Sequence, residues 1–422
     1  MSMNRRDFLK NSAMAGGAVS ALGVSGCAKP ETKPAAENTF GNLKPIKDVK
    51  PISLDERKKR IAKAQDLMSK NKIDAIIIEP GSTFSYFVGF SWWKSERFFG
   101  AILPAKGDFV YICPAFEEDR AKELIKFGND IRTWEEDESP FTLTTQYLKE
   151  KGISSGKIGF EENTRFFITD EIRKEAGGAQ IVSATPVTAG CRMIKSPAEL
   201  ALMKKANEGM LQAYKAVFNS LEKGMTQYDI NSNLSKAFRA LGLSGGAGVQ
   251  LGEYTAFPHG SIKPQKLKEG DVVLIDGSGS LEDYHGDITR TTVFGEPTKL
   301  QRERWNLVKK AQSKAFATIK PGVPCGEIDA AARNVINSAG YGPGYKNFWH
   351  RLGHGIGMDV HEWTYLVKGN KTPLQPGMCF SNEPGIYVVG EFGIRSEDCW
   401  HVTENGYEAF TPQSPSIDNP VS

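Results

Sequence analysis

The hydrophobic pattern of the first half of the chain alternates between helical and strand spacing. Apolar residues recur every three or four positions over 54–72, including Ile61, Ala64 and Leu67, which predicts an amphipathic helix. The run Ile73-Asp74-Ala75-Ile76-Ile77-Ile78 follows it and is typical of a buried strand. This order predicts an α/β domain over residues 51–191, with further strands at 100–104 and 109–113 and helices near 116–127 and 139–151.

A helix-start signal marks a second domain, which we predict over residues 192–422. Ser196 suits the N-cap, Pro197 the first helical position and Glu199 the third, which together form a capping box. The amphipathic pattern after it predicts a long helix that ends at about Leu221.

The second domain contains an internal repeat. The segments Lys223-Gly224-Met225-Thr226 and Lys320-Pro321-Gly322-Val323 each follow a long amphipathic helix and begin another helix. Each is later followed by an apolar strand, Gly270–Asp276 in the first copy and Gly377–Glu383 in the second. The same offset of 107 residues relates the two glycines and maps Asp276 onto Glu383. We therefore expect a pseudo-twofold duplication.

Each copy of the repeat carries two acidic residues. Asp287 follows Asp276 by 11 residues, and Glu397 follows Glu383 by 14. Because the two arms of a hairpin lie side by side, the acids converge and repel one another unless cations compensate them. With His354 as a nitrogen donor, such a set suits manganese, iron, cobalt or zinc, and two ions about 3.5–4 Å apart can share carboxylates and a hydroxide.

Composition narrows the class of protein. Of the 422 residues 40% are hydrophobic and 24% charged, which excludes a disordered chain and a polytopic membrane protein. The net charge is only +3, which argues against a nucleic-acid partner. All six histidines lie from His259 onward, so chemistry is expected in the second domain. The five cysteines after Cys27 lack CxxC spacing and are interpreted as buried small hydrophobes, with a single disulfide left open.

The first 26 residues resemble a twin-arginine export signal with a lipobox. Arg5-Arg6 precedes a weakly apolar stretch that ends in Val24-Ser25-Gly26-Cys27. We expect lipidation at Cys27, a flexible tether over 27–50, and a protein on the periplasmic or cell-surface side, attached to the membrane only by its lipid. The alternative is a soluble exported protein in which Cys27 occurs by chance.

Six segments in order resemble the pita-bread metallopeptidases, in particular Xaa-Pro aminopeptidases and Xaa-Pro dipeptidases (prolidases). The resemblance implies an α+β pita-bread catalytic domain with the internal duplication, preceded by a creatinase-like N-terminal α/β domain. The segments are Phe257–Gly260, Leu274–Asp276, Gly286–Thr291, His350–Gly357 with His361-Glu362, Glu383–Tyr387 and Gly393–Asp398.

Carried over position by position, the resemblance implies roles for individual residues. Asp287 and Glu397 would bridge two ions, and Glu383 would also handle the proton of the attacking water. His259 and His361 would contact the substrate and steady its scissile carbonyl, with His350 beside them. Arg395 would support the ligands from behind or bind a substrate carboxylate. The implied metal ligands are Asp276, Asp287, His354, Glu383 and Glu397.

The resemblance also implies the reaction, which is hydrolysis of the bond before proline in dipeptides or at peptide N-termini by a metal-bridging hydroxide. The expected cofactor is two divalent ions, Mn²⁺ in the first place and Co²⁺, Zn²⁺ or Fe²⁺ as alternatives. The expected partner is a proline-containing peptide, and the expected assembly is a homodimer. Two alternatives stay open: a non-peptidase metal-dependent enzyme on the same fold, and a non-catalytic peptide-binding lipoprotein.

Overall fold

A computed structural model describes residues 40–421. The predicted export signal, Cys27 and the first part of the predicted tether lie outside the described residues. Residues 40–50, also assigned to the tether, do not form one. Phe40, Leu43, Ile46 and Val49 recur every third position and pack into a hydrophobic core of the second half. The backbone N–H of Ile46 also donates to the carbonyl of Leu241 at 3.0 Å.

The first half forms one six-stranded mixed sheet with helices around it. The strand order is β4-β3-β2-β1-β5-β6, with β1 antiparallel to β2 and parallel to β5. The predicted helices and strands of this region are present, with ends shifted by a few residues. The strands are β1 Ala75–Ile78, β2 Gly100–Pro104, β3 Val110–Pro114, β4 Asp130–Trp134, β5 Lys157–Phe160 and β6 Gln180–Ser183. The helices are α1 Leu54–Asn71, α2 Ser82–Val88, α3 Glu118–Leu124, α4 Pro140–Glu150, α5 Phe166–Glu175 and α6 Thr185–Arg192.

The second half consists of two helix pairs, each followed by antiparallel strands, which is the repeat predicted from the sequence. Its sheets have the orders β7-β8-β9, β11-β10-β12-β15-β16 and β13-β14. The helices are α7 Pro197–Phe218, α8 Gln227–Leu241, α9 Lys299–Phe316 and α10 Cys325–Ile336. The strands are β7 Ser244–Leu251, β8 Val272–Leu281, β9 Tyr284–Val293, β10 Gly353–Gly355, β11 Glu362–Leu366, β12 Cys379–Asn382, β13 Gly385–Tyr387, β14 Gly393–Arg395, β15 Asp398–Val402 and β16 Tyr407–Ala409.

Helix caps fix where the helices of the second half begin. The hydroxyl of Ser196 accepts from the N–H of Glu199, whose carboxylate accepts from the N–H of Ser196, so the predicted capping box is confirmed. Thr226 and Asp229 form the same arrangement at the start of α8. These caps satisfy backbone donors that would otherwise have no partner, and so fix where α7 and α8 begin.

Buried charge lies at the junction of the two halves. The guanidinium of Arg60 on α1 is 3.3 Å from a carboxylate oxygen of Glu199 on α7 and donates to the hydroxyl of Tyr284 on β9. Residues 40–421 therefore pack as one body. The domain boundary that the sequence predicts between residues 191 and 192 stays a prediction. All five cysteines of this body are buried and free, as predicted. Its helices include none long and apolar enough to cross a bilayer.

Candidate metal centre

The hairpin formed by β8 and β9 presents the first two acids. In its register Asp276 pairs with Thr289, and Ser278 pairs with Asp287. Residues two apart on a strand share a face, so Asp276 and Asp287 are diagonal neighbours on one face of the hairpin. The convergence predicted from their spacing is present in the structure.

The second pair of acids lies where β12 ends and β15 begins. Asn382 pairs with Asp398 across these strands, so Glu383 and Glu397 occupy the next positions, just beyond the ladder. The backbone N–H of Glu397 donates to the carbonyl of Thr289 at 3.1 Å. This bond joins the second pair of acids to the hairpin that carries the first.

His354 reaches the acids from β10, which lies between β11 and β12. A β-carbon at Gly353 would come within 2.2 Å of the carbonyl oxygen of Ser381, so only glycine permits this approach. The Nδ1 atom of His354 is 3.1 Å from the carbonyl of Gly355, which can only accept, so Nδ1 carries the proton. The unprotonated Nε2 therefore faces the acids, 3.3 Å from Glu383 Oε1 and 3.7 Å from Asp287 Oδ2.

The five residues predicted as ligands line one cavity of about 390 Å³. Ligand atoms of Asp276, Asp287 and Glu397 lie within 4.8 Å of one another, and so do those of His354, Glu383 and Glu397. A third such group joins His361 to Asp287 and His354. The donor atoms thus form a continuous set across both copies of the repeat.

Burial and mutual repulsion change the pKa values of these acids. Burial, followed by the charges of its acidic neighbours, raises the pKa of Asp287 and that of Glu397 well above the usual carboxyl range. Burial also raises the pKa of Glu383 to about 8. Burial acts in the same direction on Asp276, but the charge of Arg395 and the hydrogen bonds with Thr289, Glu397 and Arg395 together outweigh it and lower the pKa of that residue. Three of the four acids therefore resist ionisation while no cation lies among them.

This donor set fits divalent metal ions. Buried carboxylates that repel one another are stabilised in the ionised form by cations bound between them. Four carboxylates and one imidazole with a free Nε2 are hard and borderline donors, and thiolates are absent from this cavity wall as it is described. The residues that would hold the ions are Asp276, Asp287, His354, Glu383 and Glu397.

Three further predicted histidines line the same cavity. His259 and His361 are exposed, and the ring of His361 lies 4.0 Å from that of His354, centroid to centroid. His350 is held by two contacts: its Nδ1 lies 2.8 Å from the carbonyl of Arg351 and its Nε2 lies 2.8 Å from the hydroxyl of Tyr387. Burial lowers the pKa of His350 to about 3, so this ring is neutral.

Arg395 lies behind the acids. Its side chain, 2% exposed, pairs with Asp276 at 2.7 Å and donates to Thr289, Tyr387 and the carbonyl of Pro258. Of the two roles left open for Arg395, support of the ligands is the one with contacts in the structure. Direct contact with substrate stays a prediction.

Three residues of the site were not predicted from the sequence. The hydroxyl of Thr289 lies 2.7 Å from carboxylate oxygens of both Asp276 and Glu397, and that of Ser381 donates to Glu383. Tyr387 bridges His350 and Arg395. A signal was available for two of them, because Thr289 and Ser381 lie two positions from a predicted ligand and therefore share its strand face.

Comparison with known families identifies both halves of the chain. Residues 201–404 match the model of metallopeptidase family M24. Residues 60–194 match the creatinase/prolidase N-terminal domain.

Individual relatives extend over most of the chain. An uncharacterized peptidase of Schizosaccharomyces pombe is 36% identical over 82% of this chain and 78% of its own length. The Xaa-Pro dipeptidase of Lactobacillus delbrueckii subsp. lactis is 31% identical over 84% of this chain and 97% of its own. Among solved structures, a prolidase from Thermococcus sibiricus superposes with a TM-score of 0.79 at 30% identity, covering 86% of this chain and 98% of the prolidase. These matches confirm the predicted fold class.

Proposed function

The chain belongs to metallopeptidase family M24, and from this premise we propose that it is an Xaa-Pro exopeptidase with two divalent ions at its centre. The observation that carries the proposal is the gathering of Asp276, Asp287, His354, Glu383 and Glu397 around one cavity, with three further histidines on its wall. Relatives named as Xaa-Pro dipeptidase and prolidase support the preference for proline.

Divalent ions held by these residues would supply an activated water as the nucleophile, because bound cations lower the pKa of coordinated water from about 15.7 to about 7. The residues that would hold the ions are Asp287 and Glu397 together with Asp276, His354 and Glu383. Manganese is proposed as the native metal. The oxygen-rich donor set supports it, and also supports cobalt, zinc or iron.

The protein's own groups bind the substrate and move the proton. We assign Glu383 as the base that receives the proton of the attacking water, because its carboxylate faces both His354 and the cavity. The exposed rings of His259 and His361 reach into the cavity, where their N–H groups can donate to the scissile carbonyl as negative charge develops on its oxygen. His350, fixed by Tyr387, borders the same space.

Hydrolysis of defined peptides tests the proposed substrate specificity. Protein loaded with manganese should hydrolyse Ala-Pro, Ala-Pro-Ala or both, and should leave Ala-Ala intact. The ratio of the first two rates separates a dipeptidase from an aminopeptidase. The Glu383→Gln variant should lose several orders of magnitude in kcat while its thermal unfolding stays cooperative. Failure to release proline from Ala-Pro and Pro-Ala from Ala-Pro-Ala would refute the proposed specificity.

We further propose export by the twin-arginine route, lipid attachment at Cys27 and assembly as a homodimer. Arg5-Arg6 and the Val24–Cys27 motif support the first two, and the third rests on the resemblance to the pita-bread metallopeptidases alone. Mass spectrometry of the mature N-terminus tests the lipid, and a Cys27→Ser variant is its control. Light scattering of the purified protein tests the dimer.

A further inference from the structure

The position of His361 is not fixed by its own side chain. Within residues 40–421 its ring has no hydrogen bond to another side chain or to the backbone, and the residue is exposed. It lies on the segment that joins β10 to β11, directly before Glu362. A ring in this situation is placed by its backbone, so whatever holds the segment determines where the imidazole points.

Glu362 holds that segment from inside the protein. Its side chain is buried, and Oε1 accepts from the backbone N–H groups of Met358 and Asp359 at 2.9 and 3.2 Å. The carboxylate therefore closes the turn 358–362 on itself. Gly357 packs against it, and a β-carbon at Gly357 would lie 2.8 Å from both carboxylate oxygens.

Two cations from the junction of the two halves anchor this carboxylate. The ammonium of Lys195 lies 2.8 Å from Oε2, and the guanidinium of Arg192, at the end of α6, contacts Oε1. Arg192 also contacts Asp359 at 2.6 Å and donates to the hydroxyl of Thr83 on α2 at 2.9 Å. The turn is thereby tied to helices of the first half of the chain.

A charge cluster of this kind is poorly explained by stability alone. Burying three charged groups costs desolvation free energy, which their mutual attraction offsets only when the geometry is good. Apolar residues of similar size at the same positions often stabilise the folded protein equally well or better. The cluster does fix the orientation of the Glu362 carboxylate, because each of its oxygens has defined donors. The ring that depends on this orientation is that of the preceding residue, His361, whose centroid lies 4.0 Å from that of His354.

We propose that Glu362, Arg192 and Lys195 are positioning residues for His361, through which the first half of the chain fixes a substrate-facing group of the catalytic half. This inference deepens the proposed function and rests on it for the role of His361. Glu362, Arg192 and Lys195 do not touch the substrate in this arrangement. Their effect on turnover passes through the imidazole.

A double-mutant cycle tests the inference in the manganese-loaded enzyme. Glu362→Gln keeps the side-chain shape and should lower kcat for Ala-Pro at least about tenfold while KM changes little, because His361 acts on the developing charge. In the His361→Ala background the same substitution should have almost no further effect on kcat. Multiplicative losses in the double variant would overturn the proposal. Glu362→Asp, which restores the charge, should recover part of the loss.

Glu199→Gln is the matched control. It removes an equally buried carboxylate from Arg60 at the same junction, 3.3 Å away, without contacting the turn 358–362. Its kcat should stay near the wild-type value, whereas an equal loss in this variant would indicate general destabilisation and overturn the proposal. If Glu362→Gln does not fold, Lys195→Met enters the same cycle, since Arg192 then still holds Glu362.

A second readout is independent of peptidase activity. In metal-free protein labelled with ¹³C at histidine Cε1, the His361 resonance is identified by its loss in His361→Ala. Its chemical shift should change in Glu362→Gln and stay unchanged in Glu199→Gln. If wild-type protein hydrolysed neither Ala-Pro nor Ala-Pro-Ala but this shift changed as expected, the proposed function would fail while the positioning role stood. An unchanged shift would refute the positioning role alone.

Discussion

At the scale of single residues, Asp287 is the acid whose substitution tests the metal centre most directly. Asp287 is 7% exposed and its carboxylate lies among the other donors. Asp287→Asn removes the charge with almost no change of shape. We expect metal affinity to fall at least about 100-fold, since even residues behind the ligands commonly account for 10–100-fold. Metal content after dialysis, measured by plasma mass spectrometry, checks this.

Asp283→Asn is the control for that variant. Asp283 is exposed in the turn of the same hairpin and has a φ of 65°, a conformation that asparagine also adopts readily. Its metal content and kcat should equal those of the wild type. Equal metal retention in both variants would contradict the assignment of Asp287.

Thr289 is a residue that the structure alone brings into the centre. Because its hydroxyl lies 2.7 Å from both Asp276 and Glu397, Thr289→Val leaves two ligands without a shared partner. We expect kcat or metal affinity to fall about 10–100-fold, as for other groups that orient ligands. Thr292→Val is the control, because this buried hydroxyl of the same strand donates instead to the carbonyl of Ile417. The kcat values of the two variants are compared by steady-state kinetics at saturating manganese.

At the scale of elements, the local sequence predicts the ends of some helices and strands but not of others. The capping residues Ser196 and Glu199 predict the start of α7 because a cap is satisfied within four residues. The predicted strand 270–276 instead continues to Leu281, through Gly277 and Gly279. It does so because the equally glycine-rich β7 pairs with it, and a β-carbon at Gly277 would lie 2.6 Å from that of Ala247. Tertiary pairing overrides the low strand propensity of glycine here.

Helix α10 determines the path of the segment that carries His350. Arg333 pairs with Asp329 at 2.7 Å and donates to the carbonyls of Phe348 and His350, both at 2.9 Å. In Arg333→Lys the ammonium lacks the planar array of donors of the guanidinium, so it cannot maintain all of these contacts at once. We expect faster amide hydrogen exchange over residues 344–352 and a lower kcat, measured by mass spectrometry and proline release.

Arg302→Lys is the comparison for this element. Arg302 lies on the neighbouring α9 and forms ion pairs that are largely exposed, with Glu296 and Asp418. Its substitution should leave exchange over 344–352 unchanged, because exposed pairs contribute little to stability. Unchanged exchange in both variants would show that Arg333 does not hold the segment.

At the scale of the whole molecule, the acid stability of the protein depends on the charge cluster that joins its halves. Burial raises the pKa of Glu362, but Lys195 and Arg192 outweigh it and lower the pKa to about 2, from an ordinary value of 4.5. A lowered folded-state pKa contributes stability above pH 4.5 that is lost as the pH falls towards 2. Urea unfolding of metal-free protein should therefore show the advantage of wild type over Glu362→Gln shrinking by about 2 kcal/mol between pH 6 and pH 3. A constant difference would contradict the pairing.

The sequence by itself determined the helices, the order of the two halves, the repeat and the set of candidate ligands. These features are local or periodic, so that caps, spacing of apolar residues and a fixed offset between acids are enough to indicate them. It did not determine that residues 40–50 pack on the second half, or that Thr289 lies between Asp276 and Glu397. Apart from these acids, only the tertiary structure decided which residues 100 or more positions apart meet. The free energy that brings Arg192 to Glu362, or Thr289 to Glu397, comes from burial and strand pairing of the assembled protein, which leave no periodic trace in the chain.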